Sequence, residues 1–287
     1  MTHRIPSALV LVGCLLTLAV GAQAQQASSE DIDRLLQRSG IEHFLDALPQ
    51  QVGEGLAAAI AEDPDGTALL ADSVQSLQES ANTTFAPGQL APVIRQVLER
   101  RIDADVAREV LAWLDSPLGT RLTRLENVAS SPDYPRQLEA FMRALPNNPP
   151  AGERLELLQA LDRAANITES GIEVVLHMQL ALVVAVVETL PEQQRPTVPE
   201  LLQSLESERP AIEQMLKQVS LSSLLFTYRD VSDADLQQYI AFLGSPAGKL
   251  FQSSLVEGLD LALIQAVRRW GNEVGRTLKA ATLRQST

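Results

Sequence analysis

Two histidines beyond the N-terminal segment, His43 and His177, are the first side chains to test for chemistry. A zinc site or an acid–base pair needs a second donor at a set spacing. Neither histidine has another His or Cys near it, and each lies in an apolar-faced helical segment. A packed or solvent-facing imidazole is the ordinary reading there. The single cysteine, Cys14, sits in an apolar run at the N-terminus, so the rest of the chain has no thiol nucleophile. Neither Gly-x-Ser-x-Gly nor His-Glu-x-x-His occurs.

Two further patterns have bland explanations. Gly244-Ser-Pro-Ala-Gly248-Lys249 resembles a phosphate-binding loop in outline. It is one residue short between the glycines, lacks Ser or Thr after the lysine, and follows a helical pattern rather than a strand. Asp31-Ile-Asp33, Asp103-Ala-Asp105 and Asp233-Ala-Asp235 stand near helix starts, where carboxylates offset the positive helix end. A calcium loop would need more oxygen ligands and a turn-forming glycine. We expect no catalytic residue, no metal and no cofactor.

The elements that would position any site are helices. Leu, Ala, Gln and Glu dominate, only 4% of residues are aromatic, and apolar positions recur with helical period. Ser28 to Asp31 opens a short helix that stops at Gly40. Ile41 to Ile60 forms a longer one, with Glu42, Asp46, Gln50, Gln51 and Glu54 as a wet face and Pro49 as a kink. Further helices are expected around 68–81, 92–101, 103–114, 117–128 and 134–145. Residues 172–190 include Val174, Val175, Leu176, Leu180, Val183 and Val187 and are apolar nearly all round, which predicts enclosure on every side. The last helix carries one long stripe through Leu255, Leu259, Leu263, Val267, Trp270, Val274 and Leu278.

The segment 147–152, with Pro149, Pro150 and Gly152, reads as a linker. It divides a first helical domain, 25–146, from a second, 153–287. The sequence then begins again: Ser170-Gly-Ile-Glu173 repeats Ser39-Gly-Ile-Glu42, and 102–119 lies over 231–248 without a gap. In each copy of the longer match an apolar-faced helix ends at a corner. Ser116 or Ser245 can cap the next helix, and Pro117 or Pro246 fits its first position. Gly119 or Gly248 then permits a close approach. Trp113 and Phe242 stand just before the two corners and are expected to be buried in the core. Two units imply a duplication rather than a solenoid. The expected fold is all-α: two related helical domains packed on each other.

Tyr239-Ile-Ala-Phe-Leu-Gly-Ser-Pro-Ala-Gly-Lys249, with the opening Leu35 to Glu42, resembles the family described as domain of unknown function 2059, exported helical proteins of Gram-negative bacteria. The first copy departs from the motif at Asp115, Leu118 and Thr120. The resemblance implies a periplasmic helical protein and carries over no catalytic residue.

The N-terminus agrees with export. Arg4 precedes an apolar run to Val20, and Ala22-Gln23-Ala24 gives the small-x-small pattern of a cleavage site. Residues 1–24 are read as a signal peptide. Leu11-Val12-Gly13-Cys14 also fits a lipoprotein box, but the apolar run continues past Cys14 where a polar tether is expected. Cleavage after Ala24 takes the formal charge from −13 to −14 by removing Arg4. That balance disfavours nucleic acid and anionic membranes as partners. Three function classes follow. The first is a non-catalytic periplasmic adaptor that binds another periplasmic or envelope protein. The second is a carrier of an apolar or lipid-like ligand near 172–190, and the third, enzyme, lacks any catalytic set.

Overall fold

A computed structural model describes residues 25–62, 74–145, 150–187 and 195–285. Residues 1–24, with Cys14 and the expected cleavage site, residues 147–149 of the expected linker and residues 188–190 lie outside the described residues. The fold is all-α, and among the described residues no strand occurs.

The first half runs α1 (Ser29–Ser39), α2 (Ile41–Glu62), α3 (Val74–Thr84), α4 (Pro87–Arg101) and α5 (Ala104–Leu114). A corner leads to α6 (Pro117–Val128) and then α7 (Tyr134–Ala144). The second half runs α8 (Gly152–Ala165), α9 (Ile167–Val187), α10 (Val198–Thr227) and α11 (Asp233–Gly244). A second corner leads to α12 (Pro246–Gln285).

Local chemistry sets the boundaries. Ser28 and Asp31 form a capping box at α1, where each side chain satisfies an otherwise orphaned N–H. Gly40 closes the helix at φ 79°, a conformation that side chains resist. Asp103 caps α5 by accepting from the Asp105 and Val106 amides, and Ser232 caps α11. Asp233 and Asp235 stand in its first turn, as read, and also pair with Arg154 and Arg121. The wet face of α2 is as read: Glu42, Asp46, Gln50, Gln51 and Glu54 are exposed while Leu45 and Leu48 are buried, and the helix continues through Pro49.

The sequence halves and the hydrophobic cores do not coincide. One core gathers Ile32, Leu35, Leu77, Phe85, Leu90, Ile94 and Val110 from the first half. It is completed by Phe251, Leu263, Val267, Trp270 and Val274 of α12, from the second half. A second core gathers Leu158, Leu161, Leu224, Tyr228 and Leu236, and takes Leu122 from α6 with Phe141 from α7, while a small third cluster joins Ile172 and Leu176 to Ile212. Each helix after a corner therefore packs into the opposite half. The divisions at 146 and 153 separate stretches of sequence and not independently filled cores.

The seam between α12 and α4 is close. A Cβ at Gly258 would stand 2.9 Å from the Ile94 Cα, so only glycine lets the two backbones approach this far. Trp270 secures the far end: its indole N–H donates to the Leu77 carbonyl at 3.2 Å and its ring meets Phe85 edge-on.

Helix α9 corrects an expectation. Ile172 and Leu176 are buried, but Val174, Val175, Leu180, Val183 and Val187 are only half-buried. Among the described residues the helix packs on α10 and α12 and lightly on α8, and the side chains of Leu182, Val184 and Val186 lie outside the described residues. The tetrapeptide match is corrected too. Gly40 ends a helix, whereas Gly171 lies inside α9, and the left-handed residue before α9 is Asn166 at φ 56°.

Candidate functional site

The two corners share their geometry atom for atom. Ser116 Oγ accepts from the Gly119 amide at 3.0 Å, and Ser245 Oγ accepts from the Gly248 amide at 3.0 Å. Pro117 and Pro246 are exposed at the first helical turn. A Cβ at Gly119 would fall 2.1 Å from the Trp113 carbonyl oxygen, and one at Gly248 would fall 2.0 Å from that of Phe242. The glycines are thus required by the corner's own preceding turn, and not by a second helix as the sequence suggested. Ser245→Ala is expected to cost about 1 kcal/mol as a lost cap, read from the urea midpoint, with Ser116→Ala close to it.

The residues just before the corners meet across the two halves. Trp113 and Phe242 stack with centroids 4.6 Å apart and planes 7° apart, and Tyr239 lies parallel to the same indole at 5.9 Å. Both Trp113 and Phe242 are half-buried rather than buried, and each packs against both cores. They form the joint between the cores, where sequence reasoning expected two separate anchors.

Beside this joint lies a cleft of about 480 Å³, within the size range of small-molecule sites. Both corners contribute to its wall through Trp113, Leu114, Gly119, Phe242 and Leu243. The rest is largely apolar, with Leu122, Leu161, Leu224 and Phe251 among the lining. Ile167 and Val219 stand exposed at its rim.

One carboxyl faces this wall. Glu126 on α6 accepts from the Tyr228 hydroxyl at 2.6 Å and is hydrogen-bonded by Tyr239 as well. Burial raises its pKa above the ordinary 4.5, and the two tyrosine hydrogen bonds offset only part of that rise. Tyr228 and Tyr239 are in turn held well above 10, first by burial and then by the carboxylate beside them. Among the described residues that line the cleft there is no Lys, Arg or His. Glu126 therefore has donors but no cation.

Four hydroxyl groups of the wall are bonded to residues behind it. Ser220 Oγ and Thr168 Oγ1 donate to Asp162 at 2.7 Å and 2.8 Å. Ser223 Oγ and Thr227 Oγ1 contact the Tyr134 hydroxyl at 2.6 Å and 3.0 Å, which ties α7 to α10. A half-buried acid with a raised pKa in an aromatic-walled cleft is what marks this site, since perturbed carboxyls concentrate where ligands bind. Sequence reasoning missed Glu126. Its partners lie on α10 and α11, and no local motif announces it.

The histidines lie elsewhere. His43 is exposed. His177 places Nδ1 2.8 Å from Asp260 and borders a second cavity of about 610 Å³. That cavity is larger, but Arg163, Lys249, Glu169, Glu173 and Glu257 line it, and its acids already have cations: Glu169 and Glu173 pair with Arg209 and Glu257 with Arg101. We favour the smaller cleft for its desolvated acid. Among the described residues no three His, Cys, Asp or Glu side chains group as a metal site.

Compared with family models, curated proteins and solved structures, the chain matches none.

Proposed function

We propose that this chain is a non-catalytic, exported binding protein that holds a small, largely apolar ligand in the cleft between its two corners. The observation that carries this reading is the 480 Å³ space walled by Trp113, Phe242 and apolar side chains of both cores. Among the described residues that line the cleft no His, Lys or Cys stands beside Glu126, so binding is the simpler use of the carboxyl. The cleft touches α9 only at Ile167, Thr168 and Gly171. The ligand is thus assigned to the corner joint and not to the length of 172–190.

Several earlier expectations belong to the same proposal. They are export to the periplasm by cleavage after Ala24, origin by duplication of one helical unit, and kinship with the domain of unknown function 2059 proteins. The matching caps and glycine contacts at the two corners support the duplication.

An adaptor that binds another envelope protein is the second reading. Met215 and Val219 favour it: they lie one turn apart on α10 and are 51% and 52% exposed.

Native mass spectrometry of the exported protein separates the two. We expect a retained small molecule, lost in Gly171→Phe. A Cβ at Gly171 meets only Leu216 Cδ1, at 3.6 Å, so a ring there enters the cleft without breaking the fold. A co-purifying protein chain with an empty cleft would return the adaptor reading to first place.

A further inference from the structure

We propose that the ligand of the corner cleft is an organic cation: an apolar body that lies along Trp113 and Phe242, with a protonated amine placed against the Glu126 carboxylate. The inference rests on the cleft being a ligand site and adds the ligand's charge.

Three observations converge on it. First, Glu126 is the one Asp or Glu among the described residues that line the cleft, and no Lys, Arg or His faces it there. Among the described residues, the carboxylates that do have a close cation pair with it at partly or fully exposed positions, as Asp115 does with Arg34 and Arg38. A carboxylate partly withdrawn from water without a cation is costly, and an incoming ammonium lowers that cost. Second, the carboxyl keeps acceptor capacity. A carboxylate offers about four lone-pair sites, and the tyrosine hydroxyls of Tyr228 and Tyr239 occupy two directions. Those hydroxyls come from α10 and α11 and fix the carboxyl's orientation, so an ammonium finds a set acceptor. Third, the walls suit a cation. Trp113, Tyr228, Tyr239 and Phe242 line the same space, and the faces of such rings attract positive charge. An anionic ligand would instead meet a carboxylate with no counter-charge, and a fatty acid is excluded on that ground.

Octylamine, octanol and octanoate share one apolar body and differ in head charge, and calorimetry gives the affinity of each. The titrations run at high salt, because the net charge of −13 attracts any cation loosely. We expect octylamine to bind roughly tenfold or more tighter than octanol, the worth of one charge-assisted hydrogen bond, and octanoate not to bind. In Glu126→Gln the preference should fall to near unity while octanol binding persists, which also shows that the variant is folded. Equal affinity of octylamine and octanol for the native protein overturns the cation assignment and leaves the cleft as an apolar site. An amine preference that survives in Glu126→Gln overturns it as well, since another group then supplies the charge. If none of the three probes binds, the cleft reading and the cation fall together.

Discussion

A chain ended at Ser245 is expected not to fold, and its first half is expected to fail along with the second. Helix α12 supplies Phe251, Leu263, Val267, Trp270 and Val274 to the core built by α1, α3, α4 and α5. Each of these side chains is nine-tenths or more buried, and burial of one is worth roughly 1.5–3 kcal/mol. Together they match the whole stability margin of a typical domain, about 5–15 kcal/mol. Their loss also uncovers Ile94 and Leu98, which α12 now shields. The same logic applies in reverse to residues 150–285 alone, which lack Leu122 and Phe141. Circular dichroism and proton NMR of the two halves, made separately and then mixed, test this. Neither half should show a cooperative transition alone. A first half that melts cooperatively without α12 would mean that the divisions read from the sequence mark real folding units.

That exchange explains what was legible in the sequence and what was not. The corners were legible because Ser, Pro and Gly act locally: the cap bond of Ser245 spans only three residues, to Gly248. The stripe of α12 was legible for the same reason, since helical period needs no partner: Leu263, Val267, Trp270 and Val274 are buried and Leu255 and Leu259 half-buried, while the side chain of Leu278 lies outside the described residues. The partner was not legible. Nothing in Gly258 says that Ile94 lies against it, and a glycine within a helix ordinarily reads as a mild defect. Helix α9 was misjudged because apolar composition states a preference for burial without counting available neighbours. Glu126 was missed for a related reason. It follows Arg121 and Arg124 on an amphipathic helix and looks like one more solvated charge. Only Tyr228, 102 residues away, reveals otherwise. Trp113 and Phe242 were singled out as equivalent, yet their contact with each other depends on how the halves cross.

Glu126→Gln is expected to make the ligand-free protein more stable at neutral pH, against the usual cost of about 1 kcal/mol for a substitution. Burial raises the folded-state pKa of this carboxyl above the ordinary 4.5. The neutral acid is therefore the form the fold prefers. Its contribution is fully present below 4.5 and is lost as pH rises through the raised value, where the folded protein must ionise a desolvated group. Glutamine has nearly the same shape and never ionises, and its carbonyl can still accept from Tyr228. The tyrosines do not confuse the titration, because both stay protonated to well above pH 10. Urea midpoints measured from about pH 4 to about pH 8 read the linkage directly. At the acidic end the two proteins should be nearly equal. As pH rises the native protein should lose this component while the variant does not, so that the curves part with the variant above. A variant that is less stable at both ends with an unchanged pH slope would mean that Glu126 is hydrated or paired in solution. A binding site kept at the expense of stability would show the opposite order, with the gap closing when octylamine is added to the native protein.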